Sequence, residues 1–494
     1  MFGIIKNVAR HSFIYAMADM VSKAVGFILI PLYTHYLSTA DYGTLELLDL
    51  TSYIIALFFG MGISQSMVRY YYEYEDEKRK SQVVSVAMIT VMAISLIVLG
   101  ALFIFSRNIS TLVFKSPDYY RMFNIVFVTI AIGIINEIPL TLLRIEEKSV
   151  FFVTINLIKL VISLSLNILF LVHYKMGIIG ILISGLISAG AAGLFLIFYH
   201  IRKVGFACSF QLLLPMLRYG LPLVFGTLGM FVLNFGDRFL LQRLTSLADV
   251  GIYSLAYKFG FLPNVLVLSP FLMFWGPKRF DLLKEPDAKS IYAVIFSYLM
   301  YVEFFIGLGI AVLIRDVIKI IADSEFFESY KYVPVLLLSY IFNGTYYYVQ
   351  FGVHLKKETK YLAYATFTGA ALNIGANLLF IPRWQVAGAA LATLVSFLYL
   401  AIFIYIFSQK LYYIPYEFGR LAKMCLTALV LFAVSKMINI PHLALSIIIK
   451  SCIVLAFPFA LYLIKFYTDK ELEKMSDLRS RLISLLKPGG SRRK

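Results

Sequence analysis

The sequence predicts an all-α polytopic membrane protein of about 14 transmembrane helices, arranged as two pseudo-symmetric six-helix lobes with two extra C-terminal helices. Three observations carry this expectation. Hydrophobic residues make up 60% of the 494 positions and aromatic residues 16%, with a mean hydropathy of +0.82, far outside the composition of a soluble domain. Apolar segments of about 20 residues, enough to cross a hydrocarbon core of about 30 Å, recur near 13–34, 45–67, 82–105, 121–143, 150–172, 177–199, 213–236, 250–273, 291–314, 331–353, 361–381, 386–408, 419–438 and 444–465. Two phrases are also written twice, at nearly the same spacing.

The first phrase, Leu37-Ser38-Thr39-Ala40-Asp41-Tyr42-Gly43, returns as Leu244-Thr245-Ser246-Leu247-Ala248-Asp249-Val250-Gly251, with Asp41 and Asp249 lying 208 residues apart. Each copy separates two apolar segments. Asp bonds nearby backbone groups and Gly brings no side-chain clash, so each copy reads as a hairpin tip. In the second phrase, Asn167-Ile168-Leu169-Phe170 precedes Ile179-Gly180-Ile181-Leu182, and 210 residues later Asn377-Leu378-Leu379-Phe380 precedes Ala387-Gly388-Ala389-Ala390. An internal duplication of this kind marks transporters whose halves rock around a central site. The division expected is an N-terminal lobe at 1–205, a C-terminal lobe at 206–411, two extra helices at 412–466 and a cytoplasmic amphipathic tail at 467–494.

The formal charge of +17 raises nucleic acid as a partner, but the bases fall mostly in the amino end, the even-numbered connections and the tail. That asymmetry puts both termini in the cytoplasm, with a basic face against anionic lipid and no nucleic acid partner. The 3 cysteines are odd in number and widely separated, and the 6 histidines lack ligand spacing, so neither a disulfide framework nor a metal site is expected. Asp19 and Lys23 interrupt what would be a signal core, so the first span is expected to remain in the mature protein.

Taken in order, the first span places Ser12, Ala16, Asp19, Lys23 and Gly26 on one small and charged face. Asp19 and Lys23, four apart, either tie this helix to its neighbours as an ion pair or line a cavity. The second span ends at Arg69 and a run of tyrosines suited to the interface, and Arg69 sits where it can face a cytoplasmic opening. The fourth span carries Glu137 before Pro139. The fifth bears a polar stripe of Asn156, Lys159, Ser163 and Asn167, whose counterpart in the eleventh is Thr366, Gly369, Asn373 and Asn377. The seventh finishes at Asp237-Arg238, placed near the external side, and the eighth meets Gly260, Pro263 and Pro270, which favour bending. Beyond the last span, Leu472, Met475, Leu478, Leu482 and Leu485 follow helical spacing, as in an interfacial helix.

Four lysines within spans, Lys23, Lys159, Lys258 and Lys450, demand an explanation, since insertion of each costs about 2.5–3.5 kcal/mol at a helix centre. At 1.5 Å per residue, Lys23 lies ~15 Å, Lys159 ~13 Å, Lys258 ~12 Å and Lys450 ~9 Å from the nearest span end. Lys450 is therefore expected to snorkel. The others need carboxylates, for which Asp19, Asp49, Glu137 and Glu303 are candidates, or a hydrated cationic cavity that takes an anionic phosphate or pyrophosphate headgroup.

The stretches Val250-Gly251-Ile252-Tyr253-Ser254-Leu255-Ala256-Tyr257-Lys258, Asn377-Leu378-Leu379-Phe380-Ile381-Pro382 and Val386-Ala387-Gly388-Ala389-Ala390-Leu391-Ala392-Thr393 resemble the polysaccharide transporter branch of the multidrug/oligosaccharidyl-lipid/polysaccharide exporter superfamily, the O-antigen and capsule flippases of bacteria. The resemblance implies a non-enzymatic carrier in the bacterial cytoplasmic (inner) membrane. It would translocate an undecaprenyl-pyrophosphate-linked oligosaccharide by alternating access around a cationic central cavity. Lys258 lies within the matching motif and is expected in the cavity, together with Lys23, Arg69 and Lys159 by position. Asp19, Asp49, Glu137 and Glu303 are candidates for ion pairing or for proton or sodium coupling. Segments 419–438 and 444–465 would form a groove for the lipid tail. No resident cofactor is implied; the partners are membrane lipids, a polysaccharide polymerase and chain-length machinery.

Two other classes compete. A cation-coupled multidrug exporter shares the architecture, but deep lysines repel a cationic cargo. A membrane polysaccharide polymerase or ligase needs a sizeable external catalytic region, whereas the longest external connection here lies near Arg315 to Lys331, and no nucleophile-base pair emerges.

Overall fold

A computed structural model describes residues 25–60, 62–205, 209–438, 440–469 and 471–473. No strand occurs among them. In chain order the helices are α1 (Val25–Tyr36), α2 (Thr39–Gly60), α3 (Ile63–Glu73), α4 (Glu77–Phe114), α5 (Tyr120–Ile145), α6 (Ser149–Ile168), α7 (Gly177–Val204), α8 (Phe210–Leu244), α9 (Leu247–Gly260), α10 (Ser269–Asp281), α11 (Ala288–Ile321), α12 (Val333–Val349), α13 (Phe351–Leu355), α14 (Lys360–Leu411), α15 (Phe418–Met437) and α16 (Leu443–Leu463). Nine helical stretches among the described residues are long and apolar enough to cross a membrane.

Local chemistry explains the breaks. Asp76 starts α4 by accepting the Lys78 and Arg79 backbone N–H groups, each at 3.3 Å. The eighth span is interrupted after Gly260 and resumes through a wide turn at Asn264–Leu268, just past Pro263. Spans 361–381 and 386–408 form one long helical stretch, broken at Gln385 (φ 47°, ψ −123°) soon after Pro382.

Packing groups the chain into two compact units, one of residues 1–258, 318–332 and 359–400, the other of residues 259–317, 333–358 and 401–494. The first is built on Met67, Val84, Met88, Ile138, Leu142 and Met216, contributed by α3, α4, α5 and α8. The second centres on aromatic rings, with Trp275 stacked on Tyr348 (5.4 Å, 12°) and Tyr292 edge-on to Trp275.

Within the first unit the duplicated phrases adopt duplicate structures. Ser38 Oγ donates to Asp41 Oδ2 at 2.8 Å and accepts from the Asp41 N–H at 3.1 Å; Ser246 and Asp249 repeat both bonds at 2.8 and 3.1 Å. Each phrase is thus a reciprocal cap that opens a helix after a two-residue link. The copies also touch: a Cβ on Gly43 would lie 2.1 Å from the Leu247 carbonyl oxygen, and one on Gly251 would lie 2.0 Å from that of Thr39. Only glycine permits this crossing. The second phrase repeats likewise, Gly180 against Phe170 and Gly388 against Phe380.

Two expectations are corrected. Asp237-Arg238 does not end a span; α8 runs on to Leu244, and both residues are 1% exposed. Arg238 Nη1 bonds Asp237 Oδ1 at 2.7 Å and its guanidinium lies 3.7 Å from the Tyr257 ring, while Tyr253 and Thr393 hydroxyls donate to Asp237 Oδ2. Pairing and ring stacking replace the interfacial water that the sequence suggested. Lys450 does not snorkel: it is 5% exposed and pairs with Asp316 at 2.6 Å, with Ser446 donating to the same carboxylate oxygen at 2.9 Å. A buried partner on α11 removes the need to reach the interface.

Candidate functional site

In the first unit, α2, α3, α4, α5 and α8 line an open cavity of about 610 Å³. On α2 the lining positions 49, 52, 53, 56, 57 and 60 alternate by three and one, and therefore form a single helical face. On α5 the positions 130, 133, 134 and 137 do the same. Polar groups in the wall are Asp49, Ser52, Ser64, Gln65, Thr227 and Glu137, with the Tyr53 ring among them. Asp49 is exposed although it sits mid-helix, because its surface belongs to the cavity. Tyr53 stacks one face on Phe231 (5.6 Å, 13°) and remains 48% exposed. Glu137 Oε1 accepts from Arg144 Nη2 at 2.6 Å and from Thr141 Oγ1 at 3.3 Å.

The charge of this wall differs from the cationic lining expected. Among the described residues it carries two carboxylates and no lysine or arginine. Lys258 stands off the wall, half-buried, donating to the Tyr42 hydroxyl at 2.7 Å with its amine 4.8 Å from the centre of that ring. Glu46 and Asp49, about one and two turns beyond Tyr42 on α2, act on it electrostatically, yet no described carboxylate lies within 4 Å. Its partner is therefore a neutral hydroxyl. Lys159 is half-buried on α6, feels the charge of Glu137, and forms no ion pair with a described residue. Arg69 is exposed, with its guanidinium 5.1 Å from the Tyr219 ring.

The remaining candidates scatter. Glu303 on α11 is 1% exposed and packs where Gly344 leaves room, a Cβ there falling 2.5 Å from Oε1; Oε2 has no partner among the described residues. Lys23 and Asp19 lie outside the described residues, as does the tail from residue 474. The two polar stripes diverge. Asn373 and Asn377 are fully buried, with Asn373 bonded to Ser396 at 3.1 Å, whereas Asn156 is only half-buried and Asn167 reaches the Tyr33 hydroxyl at 3.0 Å. Sequence reasoning missed Tyr42, Tyr53, Gln65 and Arg144. The signal that finds Tyr53 is its place with Asp49 and Ala56 on one face of α2.

Comparison with known proteins accords with this architecture. Residues 8–277 match the family described as polysaccharide biosynthesis proteins. An uncharacterized membrane protein of Methanocaldococcus jannaschii is 23% identical over 444 residues, covering 82% of this chain and 84% of its own length. The succinoglycan biosynthesis transport protein ExoT of Rhizobium meliloti is 22% identical over 295 residues, 58% of this chain; the chain thus spans 56% of that relative. Among solved structures, the lipid II flippase MurJ in an inward closed conformation superposes with a TM-score of 0.75 at 18% identity, covering 92% of this chain and all of its own. An inward-facing multidrug resistance MATE family transporter gives 0.62 at 14% identity, over 78% and 94%. With more than half of the sequence matched and the fold of these flippase and transporter structures shared, this chain belongs to the polysaccharide biosynthesis protein family.

Proposed function

We propose that the chain is a flippase that carries an undecaprenyl-pyrophosphate-linked oligosaccharide across the bacterial cytoplasmic membrane by alternating access of lobes at 1–205 and 206–411. The observation that carries this reading is the cavity of about 610 Å³ set mostly among helices long and apolar enough to cross a membrane, yet walled by hydroxyl, amide, carboxylate and aromatic groups. Hydrocarbon has no use for such a wall; a polar passenger does. Its volume falls within the roughly 300–1,000 Å³ of ordinary ligand pockets, so a short saccharide fits and a whole lipid does not. The tail would stay in the bilayer, guided by α15 and α16. Lys258, whose only described polar partner is a neutral hydroxyl, is the cation proposed to meet the pyrophosphate. Asp49, Glu137 or Glu303 would couple transport to protons or sodium.

The test is headgroup accessibility of a labelled lipid-linked oligosaccharide in reconstituted vesicles. Lys258→Ala should slow transport by about tenfold or more, the loss of one charged hydrogen bond, without loss of insertion. Wild-type rates in both Lys258→Ala and Lys159→Ala would remove the lysines from the mechanism. One observation favours a second reading: a wall in which the Asp49 carboxylate has no described ion-pair partner suits an organic cation, as in a cation-coupled multidrug exporter. Uptake of ethidium, with none of the lipid-linked saccharide, would select it.

A further inference from the structure

Among the described residues Lys258 stands off the cavity wall and Arg144 reaches it only by pairing with Glu137, and that arrangement has consequences for the cargo. Among the described residues, no side chain donates a hydrogen bond to Asp49, and Glu137 engages only its Oε1. Both carboxylates therefore keep acceptor positions turned toward the space. Ionised carboxylates accept and do not donate, so they suit ligands rich in hydroxyl or ammonium hydrogens. Gln65 adds an exposed amide that both donates and accepts. Tyr53 adds a ring held by Phe231 on one face. Its other face, negative by its quadrupole, matches the weakly positive C–H face of a pyranose.

On this basis we infer that the cavity receives the carbohydrate part of the cargo and selects saccharides that are uncharged or bear amino groups against those bearing carboxylates. The inference rests on the flippase reading above and narrows its substrate class. A uronic acid here would meet the Asp49 carboxylate, which has no described ion-pair partner, whereas Glu137 is held by Arg144; like charge at Asp49 disfavours it. The pyrophosphate, common to all such cargoes, engages Lys258 and need not enter. Headgroup and sugar are thus recognised by separate groups on α9 and α2.

The experiment compares two lipid-linked tetrasaccharides on the same undecaprenyl pyrophosphate, one of neutral hexoses and one with a single glucuronate, in vesicles holding the full chain. The neutral cargo should move at least about tenfold faster, and Asp49→Asn should shrink that ratio by about tenfold. Saturation-transfer NMR of the wild-type protein with the corresponding soluble tetrasaccharides provides a readout independent of any variant's folding. The neutral one should show contacts that Tyr53→Ala removes. Equal transport of both cargoes, or preference for the glucuronate, overturns the inference and leaves the flippase reading intact. Transport of neither overturns both.

Discussion

Gly43 and Gly251 lie on each other's helices in the same way: the missing side chain of each is occupied by a carbonyl oxygen of the other copy, Leu247 at 2.1 Å and Thr39 at 2.0 Å from where a Cβ would stand. Backbone cannot step aside as a flexible side chain does. Gly43→Ala and Gly251→Ala should each destabilise the protein by about 1–3 kcal/mol or more, as overpacked sites do. Thermal unfolding in detergent measures this, and the two variants should fall together. An unchanged midpoint in either would show that the crossing is looser than described.

The paired caps give a gentler version of the same symmetry. Ser38→Ala and Ser246→Ala each remove a hydroxyl that both donates to and accepts from an aspartate three residues on. Each should cost about 0.5–2 kcal/mol, within a few tenths of the other. Strongly unequal losses would mean that the two phrases are alike in sequence but not in structural duty.

Lys450 and Asp316 form a pair that is structural by its burial. Lys450→Met alone strands a carboxylate and should cost about 3–5 kcal/mol. The double variant Lys450→Met with Asp316→Leu should recover most of it, since a well-packed apolar pair replaces a buried ion pair at little loss. Chemical unfolding of the three variants decides the matter. A double variant as unstable as the single one would assign the pair a role beyond neutralising charge.

Lys258 should behave in the opposite manner. Tyr42→Phe deletes the hydroxyl that holds its amine at 2.7 Å, which costs about 0.5–1.5 kcal/mol of stability and lets the lysine wander. Transport of a lipid-linked oligosaccharide should fall by more than stability does, with Lys258→Arg recovering part of the rate in the Tyr42→Phe background. If rate and stability decline in proportion, Lys258 is packing and not contact.

The sequence by itself determined the membrane class and the duplication, because apolar run length and repeated words are both properties of one dimension. It located Lys258, and it identified the Asp41 and Asp249 phrases as partners in a repeat. Tertiary structure decided which way each side chain turns. Asp49 and Tyr53 face a cavity, Lys258 stands beside it, Lys450 meets Asp316, and Asp237 is sealed with Arg238. The reason is that a transmembrane helix surrounded by other helices is apolar on nearly every side, so its pattern fails to reveal which face meets a neighbour and which meets a chamber. Charge, likewise, is countable along the chain, but whether a lysine is paired depends on residues 134 or 216 positions away.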